Sequence, residues 1–126
     1  MKVLNVVCAD YFPQIERKRA QGRWLHDVHT IASNMCIGID INSEAVEFVQ
    51  SLGIQNMLCA YLTRSVPEIE EQTWDVAVLG ELIEHLNDPI GFLKALLANI
   101  GRRVNEIVIT TPNAFFFGLL QVATKG

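Results

Sequence analysis

Residues 81 to 85 carry the densest chemistry in the chain, with Glu81, Glu84 and His85 forming a Glu-x-x-Glu-His group. On a helical turn these three share one face, because positions three and four apart are neighbours there. Two carboxylates and an imidazole on one face could hold a divalent metal. An imidazole also titrates near neutrality, so His85 is the candidate catalytic residue as a general base. The competing reading is structural: Glu84 bonds backbone N–H groups and His85 lines a ligand pocket, and no metal is assigned. A further carboxylate, Asp40, ends the run Ile37-Gly38-Ile39. A carboxylate at the carboxyl end of a buried strand can accept both hydroxyls of a ribose. Equally, it can start a turn and cap the next helix together with Asn42. His26 and His29, three apart on a helix, could ligate a metal; a partly buried His26 and a solvent-facing His29 is the simpler arrangement.

The elements that must position these groups alternate between strand and helix patterns. Val3 to Val7 reads as a first strand, and residues 8–22, with Pro13 and Gly22, as polar and irregular. Trp24, Leu25, Val28, Ile31 and Ala32 recur at helical spacing, which predicts a helix over 23–33 with one buried face. Met35 to Ile39 is a second strand ending at Asp40. Asn42-Ser43 can cap a helix carrying Ala45, Val46, Val49 and Leu52, with Gly53 at the usual stop position. Asn56 to Ala60 is a short third strand, and residues 64–72 are acidic and poorly periodic. The apolar run Trp74 to Leu79 is a fourth, buried strand that leads into Gly80 and Glu81. Asp88 as N-cap and Pro89 at the first helical position open a helix over 89–100, with Gly101 as its stop. Glu106 to Thr110 is a fifth strand, followed by the Thr111-Pro112-Asn113 turn and an apolar segment from Ala114 to Val122. Strands separated by helices imply right-handed crossovers. The expected fold is α/β, a Rossmann-like doubly wound sheet, mainly parallel, of about five strands with helices on both faces.

At 126 residues the chain is expected to be a single domain, 1–126, large enough for a real core. Half its residues are apolar and 8% aromatic, which suits a globular domain. A net charge of −4 argues against a general nucleic-acid surface, with Arg17-Lys18-Arg19 and Arg23 as a solvated basic loop. No apolar run is long enough to cross a membrane, and no signal-peptide pattern opens the chain. Cys8, Cys36 and Cys59 form no C-x-x-C pair and read as reduced buried thiols, hence a cytoplasmic protein without zinc or disulfide. Trp24 and Trp74 are core or edge residues. Phe115, Phe116, Phe117, Leu119 and Leu120 form an apolar block that, if exposed, marks a homo-oligomer or protein-partner surface, or a missing part of the domain.

Four motifs in order resemble class I S-adenosylmethionine (SAM) methyltransferases. The fourth strand runs into Glu84-His85-Leu86 and Asp88-Pro89; Arg23-Trp24-Leu25-His26 precedes the first crossover helix. Gly38-Ile39-Asp40-Ile41-Asn42 is followed by Glu44-Ala45-Val46, and Thr110-Thr111-Pro112-Asn113 forms the fifth-strand turn. The resemblance implies SAM as cofactor and transfer of its methyl group to a small-molecule or sugar-like acceptor, with O-methylation favoured. It implies that Val7, Cys8 and Ala9 approach the methionine part of the cofactor. Asp40 and Ile41 would meet the ribose, Ala60, Tyr61 and Leu62 the adenine, and Gly80 and Glu81 the sulfonium side. Some relatives carry a divalent ion on a group similar to Glu81, Glu84 and His85, while many metal-free relatives keep the Glu-His pair.

Two departures bear on activity. Val7 and Ala9 stand where the family has glycines, and a Cβ there narrows the loop and disfavours positive φ. Near Ala60 and Tyr61 many relatives have an acidic residue, which Tyr61 does not replace. The chain also ends before two further strands of the family, so a domain lacking its C-terminal strands is expected. A catalytically inactive pseudo-methyltransferase acting as a binding or assembly module is therefore the alternative function. A nicotinamide-dependent oxidoreductase would need Gly-x-Gly-x-x-Gly after the first strand, which is absent.

Overall fold

The hydrophobic runs pair in one sheet. In a computed structural model, which describes residues 1–6, 14–80, 82–83 and 86–110, five strands follow the order β3-β2-β1-β4-β5. They are β1 (Lys2–Val6), β2 (Met35–Asp40), β3 (Met57–Cys59), β4 (Trp74–Gly80) and β5 (Val104–Thr110). Every neighbouring pair is parallel. Helices α1 (Ile15–Ala20) and α2 (Leu25–Ala32) join β1 to β2, α3 (Ser43–Ser51) joins β2 to β3, α4 (Pro67–Glu70) joins β3 to β4, and α5 (Pro89–Ile100) joins β4 to β5. No helix among the described residues is long and apolar enough to cross a membrane.

Side chains alternate across a strand, so each strand feeds two cores. Leu4 and Val6 of β1, Ile39 of β2, and Ala77 and Leu79 of β4 pack with Ile69 of α4 and Leu96 and Ile100 of α5. A second, smaller cluster gathers Ile15, Trp24 and Met57 with Ala45, Val46 and Val49 of α3. Burying each such aliphatic side chain stabilises the fold by roughly 1.5–3 kcal/mol before conformational entropy is counted.

Local signals explain the helix starts. The Asn42 side chain accepts from the Ala45 N–H at 3.2 Å, and the Asp88 side chain accepts from the Gly91 N–H at 3.0 Å, with Pro89 in the first turn. Gly53 follows α3 with φ +88°, the left-handed conformation that glycine takes without strain.

Several local expectations are corrected. Residues 8–22 are not irregular throughout, since α1 forms around one fully buried apolar residue, Ile15. Likewise α4 forms in the acidic stretch on Pro67 and the buried Ile69. Both helices are too short to show a periodic apolar face. Helix α5 ends at Ile100 with Gly101 as its cap, as expected, but with φ −57°; a 3-10 turn over Gly101–Arg103 then leads straight into β5, which begins at Val104 rather than Glu106.

The largest correction concerns α2. Its apolar spacing predicted a buried face on Trp24, Leu25, Val28, Ile31 and Ala32. Trp24, just before the helix, is buried, yet Val28, Ile31 and Ala32 are exposed, Ile31 at 86%, and the Leu25 side chain lies outside the described residues. The helix instead turns His26, 1% exposed, onto the sheet. There Asn5 Nδ2 donates to His26 Nδ1 at 3.3 Å, and Cys36 Sγ lies 3.9 Å from the same nitrogen. Polar partners on β1 and β2 outweighed the apolar stripe.

Candidate functional site

From β1 the chain moves outward to β2 and β3 and then crosses back to β4 on the other side of β1. Such a reversal leaves a crevice beyond the carboxyl ends of the strands, where α/β sheets bind ligands. The register brings those ends level: Val6 sits beside Ile39 of β2 on one side and Leu79 of β4 on the other. A cavity of about 210 Å³ opens there. Val6, Ile39 and Asp40 line its strand side, Ala60 to Thr63 line it from the loop after β3, and Leu82, Leu86 and Phe92 close it from the β4–α5 side, with Ile41 also in the lining.

Asp40 is the only charged residue among those lining residues. It is largely buried, and its Oδ1 accepts the Asn42 backbone N–H at 3.0 Å. Asn42 in turn caps α3 through its own side chain. The turn expected at Asp40 is present, while the cap of α3 comes from Asn42 alone, and Asp40 is also one of the residues lining the cavity. The Ala60 N–H donates to the Asp40 carbonyl at 3.0 Å, tying the loop after β3 to the end of β2. Tyr61, 49% exposed, stands at the mouth with the Arg64 guanidinium 4.9 Å over its ring, a cation–π contact.

The structure therefore brings Asp40, Ile41, Ala60, Tyr61 and Leu62 together around one cavity. Gly80 ends β4 opposite Thr110 of β5 and is not among the lining residues; among the described residues a Cβ there would meet only Thr110 Oγ1, at 3.8 Å. Val7, Cys8, Ala9, Glu81, Glu84, His85 and the tail Phe115, Phe116, Phe117, Leu119 and Leu120 lie outside the described residues. Among the described residues no three His, Cys, Asp or Glu side chains come together to hold a metal. Thr63, Leu82, Leu86 and Phe92 complete the wall; Leu86 stood in the Glu84-His85-Leu86 motif, but none of the four was expected in the site. They are ordinary loop and helix residues whose role depends on how α5 packs.

The histidines are corrected too. His26 is buried rather than partly buried, and His29 is half-buried rather than solvent-facing. His26 Nε2 and His29 Nδ1 are buried with no hydrogen-bond partner among the described residues. Burial pushes both imidazoles below the usual histidine range, in His26 against the opposing pull of an Asn56 hydrogen bond and the Asp27 charge. Both are neutral near pH 7. Burial likewise raises the Cys36 thiol, a poor nucleophile there, whereas Cys59 is exposed rather than buried, its thiol 3.6 Å from the Ile41 carbonyl.

No protein-family model matches the chain, and no curated protein matches it. Solved structures do. The plantazolicin methyltransferase BpumL in complex with S-adenosylhomocysteine (SAH) is 16% identical, with a TM-score of 0.54 over 95% of this chain and 43% of that one. BpumL with a pentazolic desmethylPZN analogue and SAH is 20% identical, with a TM-score of 0.53 over 79% of this chain and 34% of that one. The plantazolicin methyltransferase BamL with a triazolic analogue and SAH is 17% identical, with a TM-score of 0.50 over 77% and 33%. The chain thus spans about a third to two-fifths of the length of these structures. Its parallel sheet with helices on both faces is a Rossmann-like α/β fold, shared with methyltransferases solved with SAH.

Proposed function

We propose that this chain binds SAM in the cavity at the carboxyl edge of its sheet and serves methyl transfer to a small-molecule acceptor. The observation that carries the reading is Asp40, a single carboxylate held at the end of β2 in an otherwise mostly apolar cavity at the strand-order reversal. That donor set fits a nucleoside: the carboxylate can accept ribose hydroxyls, and Ile39, Leu62, Leu82, Leu86 and Phe92 offer apolar walls to a flat base. At about 210 Å³ the cavity is smaller than the roughly 300–1,000 Å³ of whole drug-sized sites, so it suits one moiety of a larger ligand. The SAH in the structural neighbours supports this choice of ligand, and their desmethylPZN analogues support a small-molecule acceptor.

In this reading Asp40 and Ile41 hold the ribose, and Ala60, Tyr61 and Leu62 flank the adenine. We assign Val7, Cys8 and Ala9, next in sequence after β1, to the methionine part, and Gly80 and Glu81, at the end of β4 in sequence, to the sulfonium side. When bound, SAM supplies an electrophilic methyl group. The chain's own work is alignment, and for a hydroxyl acceptor removal of its proton, the role we give His85. Calorimetric titration with SAH, repeated on Asp40→Ala, tests the reading. Binding by the wild type that is lost in the variant supports it. A folded wild-type chain that takes up no SAH overturns it in favour of a non-catalytic module, and the search turns to a protein partner.

A further inference from the structure

The cavity wall after β3 is a small self-contained unit. The Arg64 N–H donates to the Tyr61 carbonyl at 3.0 Å, and the Arg64 guanidinium lies over the Tyr61 ring, so residues 61–64 close on themselves. A side chain from another element fastens this unit. Asn99, in the last turn of α5, uses its Nδ2 to donate to the Leu62 carbonyl at 2.7 Å and to the Arg64 carbonyl at 2.5 Å, across 37 and 35 residues of sequence. Asparagine is a weak helix former, so its presence in α5 is not explained by the helix itself. Its amide matches the task because one nitrogen carries two N–H groups, enough for both carbonyls. Asn99 is absent from the cavity lining, whereas Tyr61, Leu62 and Thr63 are in it.

We infer that Asn99 is a positioning residue: it holds the 61–64 turn in the cavity wall and thereby sets the affinity of the cavity without touching its ligand. The identity of the ligand rests on the cofactor reading above; the clamp itself does not. The test compares wild type, Asn99→Asp, which sets carboxylate oxygens against two carbonyls, and Asn99→Ala. Two readouts are taken well below the unfolding temperature of each variant: SAH affinity by calorimetry, and hydrogen exchange of residues 61–65. Losing two hydrogen bonds at the wall is expected to raise the Kd for SAH about ten-fold in Asn99→Asp and several-fold in Asn99→Ala. Exchange should quicken at 61–65 and stay unchanged in β1 and β4. A merely structural role would lower the melting temperature and leave the Kd of the folded variants within two-fold of wild type, and that result, or unaltered exchange at 61–65, overturns the inference. If the wild type binds no SAH, the cofactor reading alone falls, and the exchange readout decides whether Asn99 holds the turn. If Asn99→Asp does not fold, Asn99→Ala carries both readouts.

Discussion

The two faces of the sheet solve the same packing problem with different materials. On the α4–α5 face the strands present Leu4, Val6, Ile39, Ala77 and Leu79, and the helices answer with Ile69, Leu96 and Ile100. On the α1–α3 face, β1 presents Asn5 and β2 presents Cys36, and α2 answers with the buried imidazole of His26. Thr30 and Asn56 extend that polar knot: Asn56 Nδ2 donates to Thr30 Oγ1 at 3.1 Å and to the Cys36 carbonyl at 3.0 Å. The apolar face tolerates any pH but not a void. The polar face depends on these hydrogen bonds and on His26 staying neutral, with His26 Nε2 left without a partner among the described residues. The ligand cavity takes Val6, Ile39 and its α5 wall from the apolar side, and its one charged lining residue, Asp40, from the end of β2.

Substitutions can break or sharpen this contrast. The largest loss is expected on the apolar face. Trp74 is 1% exposed and its Nε1 donates to the Ile69 carbonyl at 3.1 Å, so Trp74→Ala should cost about 3–5 kcal/mol, read from chemical denaturation. A loss below about 1 kcal/mol would mean that this core is far softer than its burial indicates. Next comes the cavity. Removing the Asp40 carboxylate forfeits hydrogen bonds to a charged group, roughly 1.5–3 kcal/mol, so Asp40→Ala should weaken SAH binding about ten- to a hundred-fold.

The polar face should show itself through pH. His26 has a lowered pKa in the folded state, so the unfolded chain binds the proton more readily. Stability from this source is complete above the unfolded value near 6.5 and is lost as pH falls from there toward the folded value, with a slope of at most about 1.4 kcal/mol per pH unit. His26→Leu should flatten that part of the stability profile, and the half-buried His29, whose pKa burial also lowers, retains a slope of the same sign. An unchanged profile in the variant would place the acid sensitivity elsewhere. The smallest effect is expected at Ile31: Ile31→Glu on an 86% exposed position should stay within about 0.5 kcal/mol of wild type by thermal denaturation. A loss of several kcal/mol would restore the buried helix face that its spacing suggested.

Legibility followed the length and purity of each signal. Long apolar runs such as Trp74–Leu79, and caps such as Asn42 and Asp88, are local, and each appears in the structure where the sequence placed it. Asp40 was legible as a carboxylate at the end of a buried strand, and the structure has it there, in the cavity lining. Phe92, Leu86, Thr63 and Asn99 were not, since their contribution depends on the packing of α5 over the β3 loop, which no spacing rule encodes. The α2 helix shows the same limit from the other side. Its periodicity counted Ile31 as core and had no means of weighing two polar partners brought from β1 and β2.

The sequence by itself determined the alternation of strands and helices, the parallel sheet that alternation implies, and Asp40 at a strand end, because backbone preference, capping and burial period act within a few residues. Only the tertiary structure decided which face α2 turns inward, which of the apolar residues of α5 are buried, and which loop carbonyls Asn99 reaches. Those outcomes depend on partners up to 37 residues apart, which come together only once the strands have paired and the helices have packed on them.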